Sequence, residues 1–272
     1  MLGQIWINTK YTMNKSLIFA HRGANKEAAE NTRSAFDKAL EYPIDGIETD
    51  VQLSRDEVAV LWHDRFLGKL GLPVKHVDDF DHAQLQAMNF AAHFSSGAKP
   101  EGIMSLKEFM DAYRKRCRLL LEIKNREWEL SSRHEIKVRQ TLAMARAANT
   151  GAAQGDTIMV SSFNLDSLVY AHQCAPDFPL VYNFETDQTF SDAQRVLSEQ
   201  SFLHGLCLPI KSLDETMVKL LRDHGKCIAV YTCNSHAEIN LALELGVDIL
   251  ISDVPQKALA IRSEFENRNN HR

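Results

Sequence analysis

Apolar runs of strand length recur along the chain at 17–21, 45–51, 118–124, 157–163, 179–184, 205–209, 227–232 and 247–252, each nearly continuous in Ile, Val and Leu. Unbroken rather than alternating apolar character predicts strands covered on both faces, as in parallel sheets. The helical patterns between them carry start signals. Ser105-Leu106-Lys107-Glu108, Ser191-Asp192-Ala193-Gln194, Ser212-Leu213-Asp214-Glu215 and Ser235-His236-Ala237-Glu238 each fit a capping box. In that motif a serine oxygen accepts from an orphan N–H and the third residue reaches back. Pro255 is placed to open the last helix, where a missing N–H costs little, and Gly225 and Gly246 to end two others. Eight strands alternating with helices predict an α/β fold, the (β/α)8 TIM barrel. An open doubly wound sheet is the alternative.

One interval breaks the alternation. Strand 45–51 is followed almost at once by Val58-Ala59-Val60-Leu61-Trp62-His63. The six residues from Gln52 to Glu57 are too few for a parallel crossover, which needs about a dozen, so the two runs must form a hairpin. Residues 52–104 therefore read as a hairpin-plus-helix excursion inserted after the second strand, rejoining the barrel at the helix capped by Ser105. Within it, 78–93 reads as a helix and 95–100 as loop. The expected organisation is an N-terminal extension over 1–16, with Met13 a candidate start, and a single barrel catalytic domain over 17–272.

Composition narrows the functional classes. The chain has 272 residues, 44% hydrophobic and 25% charged, in the ordinary globular range. Its net charge of −5 disperses Lys and Arg among acids, against the basic stripe of a nucleic-acid binder. The one dense basic cluster, Arg114-Lys115-Arg116 with Arg118, reads as a solvated helix end. No apolar run approaches the roughly 18 residues of a spanning helix, so no stable membrane insertion is expected. Five cysteines without a paired spacing, and no secretory leader, fit reduced thiols in a cytoplasmic protein. No feature of the sequence sets a protein partner or an oligomeric state.

In such barrels chemistry gathers where strands end. The first ends in His21-Arg22-Gly23; the histidine alone reads as structural, but with Arg and a permissive Gly it becomes a phosphate-site candidate. On the second strand Glu48 and Asp50 sit two apart and share a face. Two carboxylates there repel each other unless a cation neutralises them. The third carries Glu122 and Lys124 on one face; a buried Glu–Lys ion pair is one reading, a third metal carboxylate with a phosphate-pairing lysine the other. Oxygen-only ligands favour Mg²⁺ or Ca²⁺ over Zn²⁺. The returning hairpin strand ends in His63-Asp64, which would bring a second imidazole to the mouth for paired acid–base work.

The succession His21-Arg22-Gly23, Glu30-Asn31-Thr32, Ile47-Glu48-Thr49-Asp50-Val51, His63-Asp64 and Glu122-Ile123-Lys124 resembles the glycerophosphodiester phosphodiesterase family. Ser162-Phe163 and the ending Gly246–Pro255 match it too, so the resemblance runs from about Leu17 to Pro255. It implies a (β/α)8 barrel and divalent-cation-dependent cleavage of glycerophosphodiesters into glycerol 3-phosphate and an alcohol. By that resemblance His21 and His63 are the catalytic pair, and Glu48, Asp50 and Glu122 the metal ligands. Arg22 and Lys124 would contact phosphate, and Phe163 and Tyr231 the rest of the substrate. Mg²⁺ is favoured and Ca²⁺ remains open. Asn31 is the expected cap of the first helix, with Glu30 either scaffold or an orienting group.

Two departures from the family pattern bear on substrate preference. Leu67 is followed by Gly68-Lys69-Leu70 where the family carries a Leu-x-Arg-Thr-Thr-like run. Tyr231 stands where a tryptophan is usual, adding a hydroxyl to the wall expected against glycerol. Two rival readings remain. A lysophospholipase D-like enzyme would use Phe66, Leu67, Leu70 and Leu72 as an apolar rim for a lipid headgroup. A non-catalytic phosphate-binding barrel would be expected to lack a histidine or carboxylate, and none is missing.

Overall fold

The computed structural model of the chain describes residues 15–95, 97–126, 129–149 and 158–270. Eight parallel strands close into a barrel: β1 (Leu17–His21), β2 (Gly46–Leu53), β4 (Arg118–Ile123), β5 (Ile158–Ser162), β6 (Leu180–Asn183), β7 (Gly205–Pro209), β8 (Cys227–Tyr231) and β9 (Ile249–Ser252). Each neighbours the next round the ring, and β1 pairs with both β9 and β2 to complete it. The helices that cover it are α1 (Arg33–Ala39), α3 (Leu106–Tyr113), α4 (Ser131–Asn149), α5 (Leu165–Cys174), α6 (Phe190–Glu199), α7 (Glu215–Asp223), α8 (His236–Glu244) and α9 (Pro255–Asn270). Among the described residues no helix is long and apolar enough to cross a membrane. All five cysteines are free.

The strand pleat sorts side chains into two cores. Ile18, Ile47, Leu119, Leu121, Val160 and Leu180 point outward under the helices, where they meet Phe36, Phe109, Leu168 and Val196. The alternate positions fill the barrel with Phe19, Leu120, Met159, Val181, Cys207, Ala229, Ile249 and Ile251. Phe19 lies in register with Gly46 on the adjoining strand. A Cβ added to Gly46 would stand 2.5 Å from Phe19 Cζ, so the ring occupies the space a side chain would need. Above this apolar floor the same inward positions turn polar, and there the site begins.

The excursion after β2 takes the expected hairpin form. Strand β3 (Ala59–Leu61) runs antiparallel to β2, pairing Leu61 with Val51 and Ala59 with Leu53. It has its own small core of Val60, Trp62, Leu67, Val77, Leu85, Phe90 and Ile103. The helix expected over 78–93 is much shorter. A 3-10 turn (Val77–Asp79) precedes α2 (His82–Ala87), which starts at a capping box from Asp81 to Gln84. Beyond Ala87 the Asn89 side chain accepts from the N–H of Ala91 and of Glu101, an alternative to helical bonding. The loop expected at 95–100 is irregular where described; Ser96 lies outside the described residues, as do residues 1–14 of the expected extension.

Three expected caps are displaced, each by a neighbouring residue with the same chemistry. Thr189, not Ser191, caps α6 through a box with Asp192. Asp214, not Ser212, caps α7, because 210–212 form a 3-10 turn. Thr32, not Asn31, caps α1 by accepting from Ala35 N–H. The Ser105 and Ser235 boxes are present, and Gly225 and Gly246 have φ of 64° and 66°.

The packing of Phe19 on Gly46 yields a test. Gly46→Ala should destabilise the protein by about 1–3 kcal/mol in urea unfolding, the usual cost of overpacking a core. Phe19→Leu in the same chain should recover part of that loss, because the two residues share one space.

Candidate active site

The inward polar positions at the strand ends surround a cavity of about 240 Å³ at the barrel mouth, lined by His21, Arg22, Glu48, His63, Glu122, Lys124, Phe163 and Tyr231 among others. A larger cavity of about 930 Å³ opens at the opposite end of the barrel. Its basic groups are engaged by the scaffold: Arg222 pairs with Asp248, Lys219 with Asp223, and Lys226 donates to the carbonyls of Ser201 and Leu203. The chemistry lies in the smaller one.

Glu48, Asp50 and Glu122 are all buried, and they present oxygens within 4.8 Å of one another. The register that sets Asp50 opposite Glu122 puts both on the inner face. Asp50 is the most supported. Its Oδ2 accepts from Asn31 Nδ2 at 2.9 Å and lies 3.1 Å from Arg22 Nε, and its Oδ1 lies 3.1 Å from Lys124 Nζ. Lys124 also pairs closely with Glu122. Burial alone would raise the Asp50 carboxyl, but Lys124 and Arg22 outweigh it and hold it well below the usual carboxylate range. Glu48 goes the other way: burial, with Asp50 and Glu122 as like-charged neighbours, pushes its carboxyl well up. Its Oε1 is buried with no hydrogen-bond partner. The near oxygens of Asp50 and Glu122 have only the Lys124 ammonium beside them, outside hydrogen-bonding angles. Such an all-oxygen set with unspent lone pairs fits a hard divalent cation.

The two imidazoles reach the cavity from different scaffolds. His21 ends barrel strand β1; its Nδ1 lies 2.6 Å from Asp253 Oδ1, which leaves Nε2 on the side of Glu48, 3.8 Å from Oε2. Asp253 is itself held by Asn25 Nδ2 at 2.6 Å and Asn234 Nδ2 at 2.8 Å. Burial lowers the His21 pKa, the Asp253 hydrogen bond only partly opposing it. His63 follows the hairpin strand β3. Its Nδ1 is 2.9 Å from Asp64 Oδ1, and Arg126 Nη2 donates to its backbone carbonyl at 2.5 Å. Asp64 would be raised by burial, but hydrogen bonds from His63 and Lys69 hold it at about 2.

The backbone is bent to assemble this. Arg22 has φ of 56°, Gly23 81° and Asn31 57°. At Gly23 the need for glycine is doubled, because a Cβ would stand 2.6 Å from the Ala35 backbone. Asn31 leaves the cap position to Thr32 and turns inward, where Thr49 Oγ1 donates to its Oδ1. Lys124 Nζ lies 5.5 Å from the centre of the Phe163 ring, and Phe163 meets Tyr231 edge to face at 5.9 Å. The Tyr231 hydroxyl donates to the Phe184 carbonyl, so it is engaged by the scaffold rather than offered to the cavity.

The structure thus gathers His21, His63, Glu48, Asp50, Glu122, Arg22, Lys124, Phe163 and Tyr231 around one cavity. Sequence reasoning gave no role to Asp253, Asp64, Asn25 or Arg126. Asp253 continues the inward alternation of Ile249 and Ile251, a signal of period 2 that was available. The contact of Arg126 with a carbonyl far along the chain had no sequence signal.

A closed parallel barrel with acids, bases and histidines gathered at the carboxyl ends of its strands has the layout of a barrel enzyme's active site. The profile of the glycerophosphoryl diester phosphodiesterase family matches residues 21–257, and the chain belongs to that family. It is 26% identical over 251 residues to a glycerophosphodiester phosphodiesterase of Bacillus subtilis, covering 89% of this chain and 85% of that one. It is 27% identical to a Bacillus altitudinis enzyme of the same name, covering 92% and 99%. A phosphodiesterase of Oleispira antarctica, solved with the product sn-glycerol-3-phosphate, has a similar fold, with a TM-score of 0.78 at 23% identity over 90% of this chain and 96% of that one.

Replacing Asp253 separates support from packing. Asp253→Asn should lower turnover roughly 10–100-fold, the usual cost of removing a group that orients another. The His21 and Asn25 contacts hold the Asp253 carboxyl well below its usual range, burial notwithstanding. A depressed carboxyl contributes stability that is present above its unfolded pKa of about 3.9 and lost as pH falls towards the folded value. The urea midpoint of the wild type should therefore exceed that of Asp253→Asn above about pH 4, and the gap should shrink below it.

Proposed function

We propose that this member of the glycerophosphoryl diester phosphodiesterase family hydrolyses glycerophosphodiesters to glycerol 3-phosphate and an alcohol. We propose that its turnover depends on a divalent cation held by Glu48, Asp50 and Glu122, and that His21 and His63 carry the proton transfers. The observation that carries this reading is one small cavity bordered by Glu48, Glu122 and two imidazoles, with Asp50 grouped against the two glutamates and each imidazole tied at Nδ1 to an aspartate. We also read residues 17–272 as one catalytic unit and the chain as cytoplasmic.

When bound, the cation supplies Lewis-acid polarisation of the phosphoryl group, and Mg²⁺ is favoured with Ca²⁺ the alternative. The protein's own groups do the rest. Asp253 and Asp64 accept from the Nδ1–H of each imidazole, fixing the tautomer that leaves Nε2 for the substrate. One Nε2 takes the proton of the nucleophile, either water or the substrate's neighbouring glycerol hydroxyl, and the other returns one to the departing alcohol. The second route leaves a cyclic phosphate that water then opens to glycerol 3-phosphate. The Arg22 guanidinium, paired with Asp50, and the compact Lys124 ammonium, paired with Asp50 and Glu122, face the phosphoryl oxygens. The Phe163–Tyr231 corner is the wall against glycerol.

The lipid-headgroup alternative draws less support. Of its expected rim, Leu67 is fully buried, and Leu70 and Leu72 pack against the Trp62 cluster, because the excursion uses them for its own core. Phe66 is left at the surface, 37% exposed.

A coupled assay for glycerol 3-phosphate tests the proposal. Turnover of glycerophosphocholine should vanish with EDTA and return with Mg²⁺ or Ca²⁺; activity indifferent to chelation removes the cation from the mechanism. His21→Ala and His63→Ala should each cost about 10²–10⁴-fold in kcat. Release of choline, the product common to both substrates, that is faster from lysophosphatidylcholine than from glycerophosphocholine would favour the lipid reading instead.

A further inference from the structure

Glu30, His63 and Asp64 form a second group whose ligand atoms lie within 4.8 Å of one another. On chemistry alone it could take a metal ion, as the three buried carboxylates could. Its centre is already filled. Lys69 Nζ lies 2.8 Å from Glu30 Oε1 and 3.0 Å from Asp64 Oδ2. Arg22 Nη1 stands 3.3 Å from Glu30, so that carboxylate faces two cations at once.

Asp64 divides its two oxygens, Oδ1 to His63 Nδ1 at 2.9 Å and Oδ2 to Lys69. A continuous chain of contacts therefore runs from the β1 loop to the hairpin: Glu30, Lys69, Asp64, His63. The lysine is well fixed at its root. It sits in the 3-10 turn Gly68–Leu70, closed by Gly71 at φ 78°, and its ammonium lies 5.7 Å from the Trp62 ring centre. Side-chain exposure of 14% for Glu30 and about a third for Lys69 and Asp64 means that water screens these pairs only in part.

The two imidazoles differ in what holds them. His21 ends a strand hydrogen-bonded on both sides within the barrel. His63 lies beyond a three-residue strand on an excursion, and its ring direction depends on Asp64. An aspartate on such a loop needs a partner of its own.

We infer that Lys69 is a positioning residue for His63: its ammonium fills the place a second cation would take between Glu30 and Asp64, and locks the Asp64–His63 pair in its working direction. The inference rests on the proposed role of His63. Lys69 touches no reacting atom and acts through Asp64.

The test is a mutant cycle on the full chain with glycerophosphocholine and saturating Mg²⁺. Lys69→Met should fold, as judged by a cooperative melt, and lose about 10–100-fold in kcat with KM within about threefold. Lys69→Arg, which keeps the charge, should recover most of kcat, and Lys69→Gln, which keeps a donor but no charge, should not. Adding Lys69→Met to His63→Ala should cost nothing further, since both act through one imidazole. Mn²⁺ titration followed by EPR should find one tight ion per wild-type chain, with unchanged affinity in Lys69→Met. Full kcat in Lys69→Met, an arginine variant no better than the glutamine one, or a multiplicative loss in the double variant would overturn the inference. So would two tight ions in the wild type. If His63→Ala itself keeps full turnover, the mechanism proposed for His63 is what fails; if it loses turnover while Lys69→Met does not, only the role of Lys69 falls.

Discussion

Three carboxylates share one water-poor end of a barrel, and their mutual repulsion is the constraint that organises the rest. Lys124, buried, and Arg22, partly buried and shared with Glu30, stand against the three acids, so acids outnumber the cations beside them. The imbalance falls on Glu48, whose carboxyl is driven upward by burial and by its neighbours, while Asp50, next to both cations, is driven down. A buried charge cluster of this kind costs stability unless every member is compensated. The cluster therefore fits the divalent cation proposed for it better than a role in keeping the fold.

The scaffold accommodates that cluster by a change of character along each inward face. Phe19, Leu120 and Met159 close the floor; one step higher the same alternation delivers His21, Glu122 and Ser161. Phe19 can close it because Gly46 yields its side-chain space, and Arg22 and Asn31 adopt left-handed backbone because their side chains are needed beside Asp50. Strain there is offset by the Asn31 hydrogen bond to Asp50 and by the Arg22–Asp50 ion pair rather than by apolar burial.

Much of this was legible in the sequence. Continuous Ile, Val and Leu runs marked every barrel strand, since a strand covered on both faces has no polar side to show. The short Gln52–Glu57 interval forced the hairpin through chain geometry alone. Spacing of two set Glu48 with Asp50 on one face. What escaped was decided by competition among near neighbours. Thr32 and Asn31 both suit a cap, and only the pull of Asp50 on Asn31 chooses between them. The helix expected over 78–93 stops at Ala87 because Asn89 bonds backbone across the loop to Glu101. Asp64 stood in the sequence only as part of a motif and Lys69 only as a departure bearing on substrate preference; their contact is made when the excursion folds Lys69 between Asp64 and Glu30.

Strand β2 changes partner partway along one edge: Gly46, Ile47 and Glu48 bond to β1, and Val51, Gln52 and Leu53 to β3. The seam of the barrel and the zipper of the excursion are thus threaded on one eight-residue ribbon. Length variation among descendants of this chain is accordingly confined. An extra residue in the bend at 54–58 disturbs only local contacts, whereas one between Glu48 and Asp50 would turn one of the two acids towards the helices and shift the hairpin against the ring.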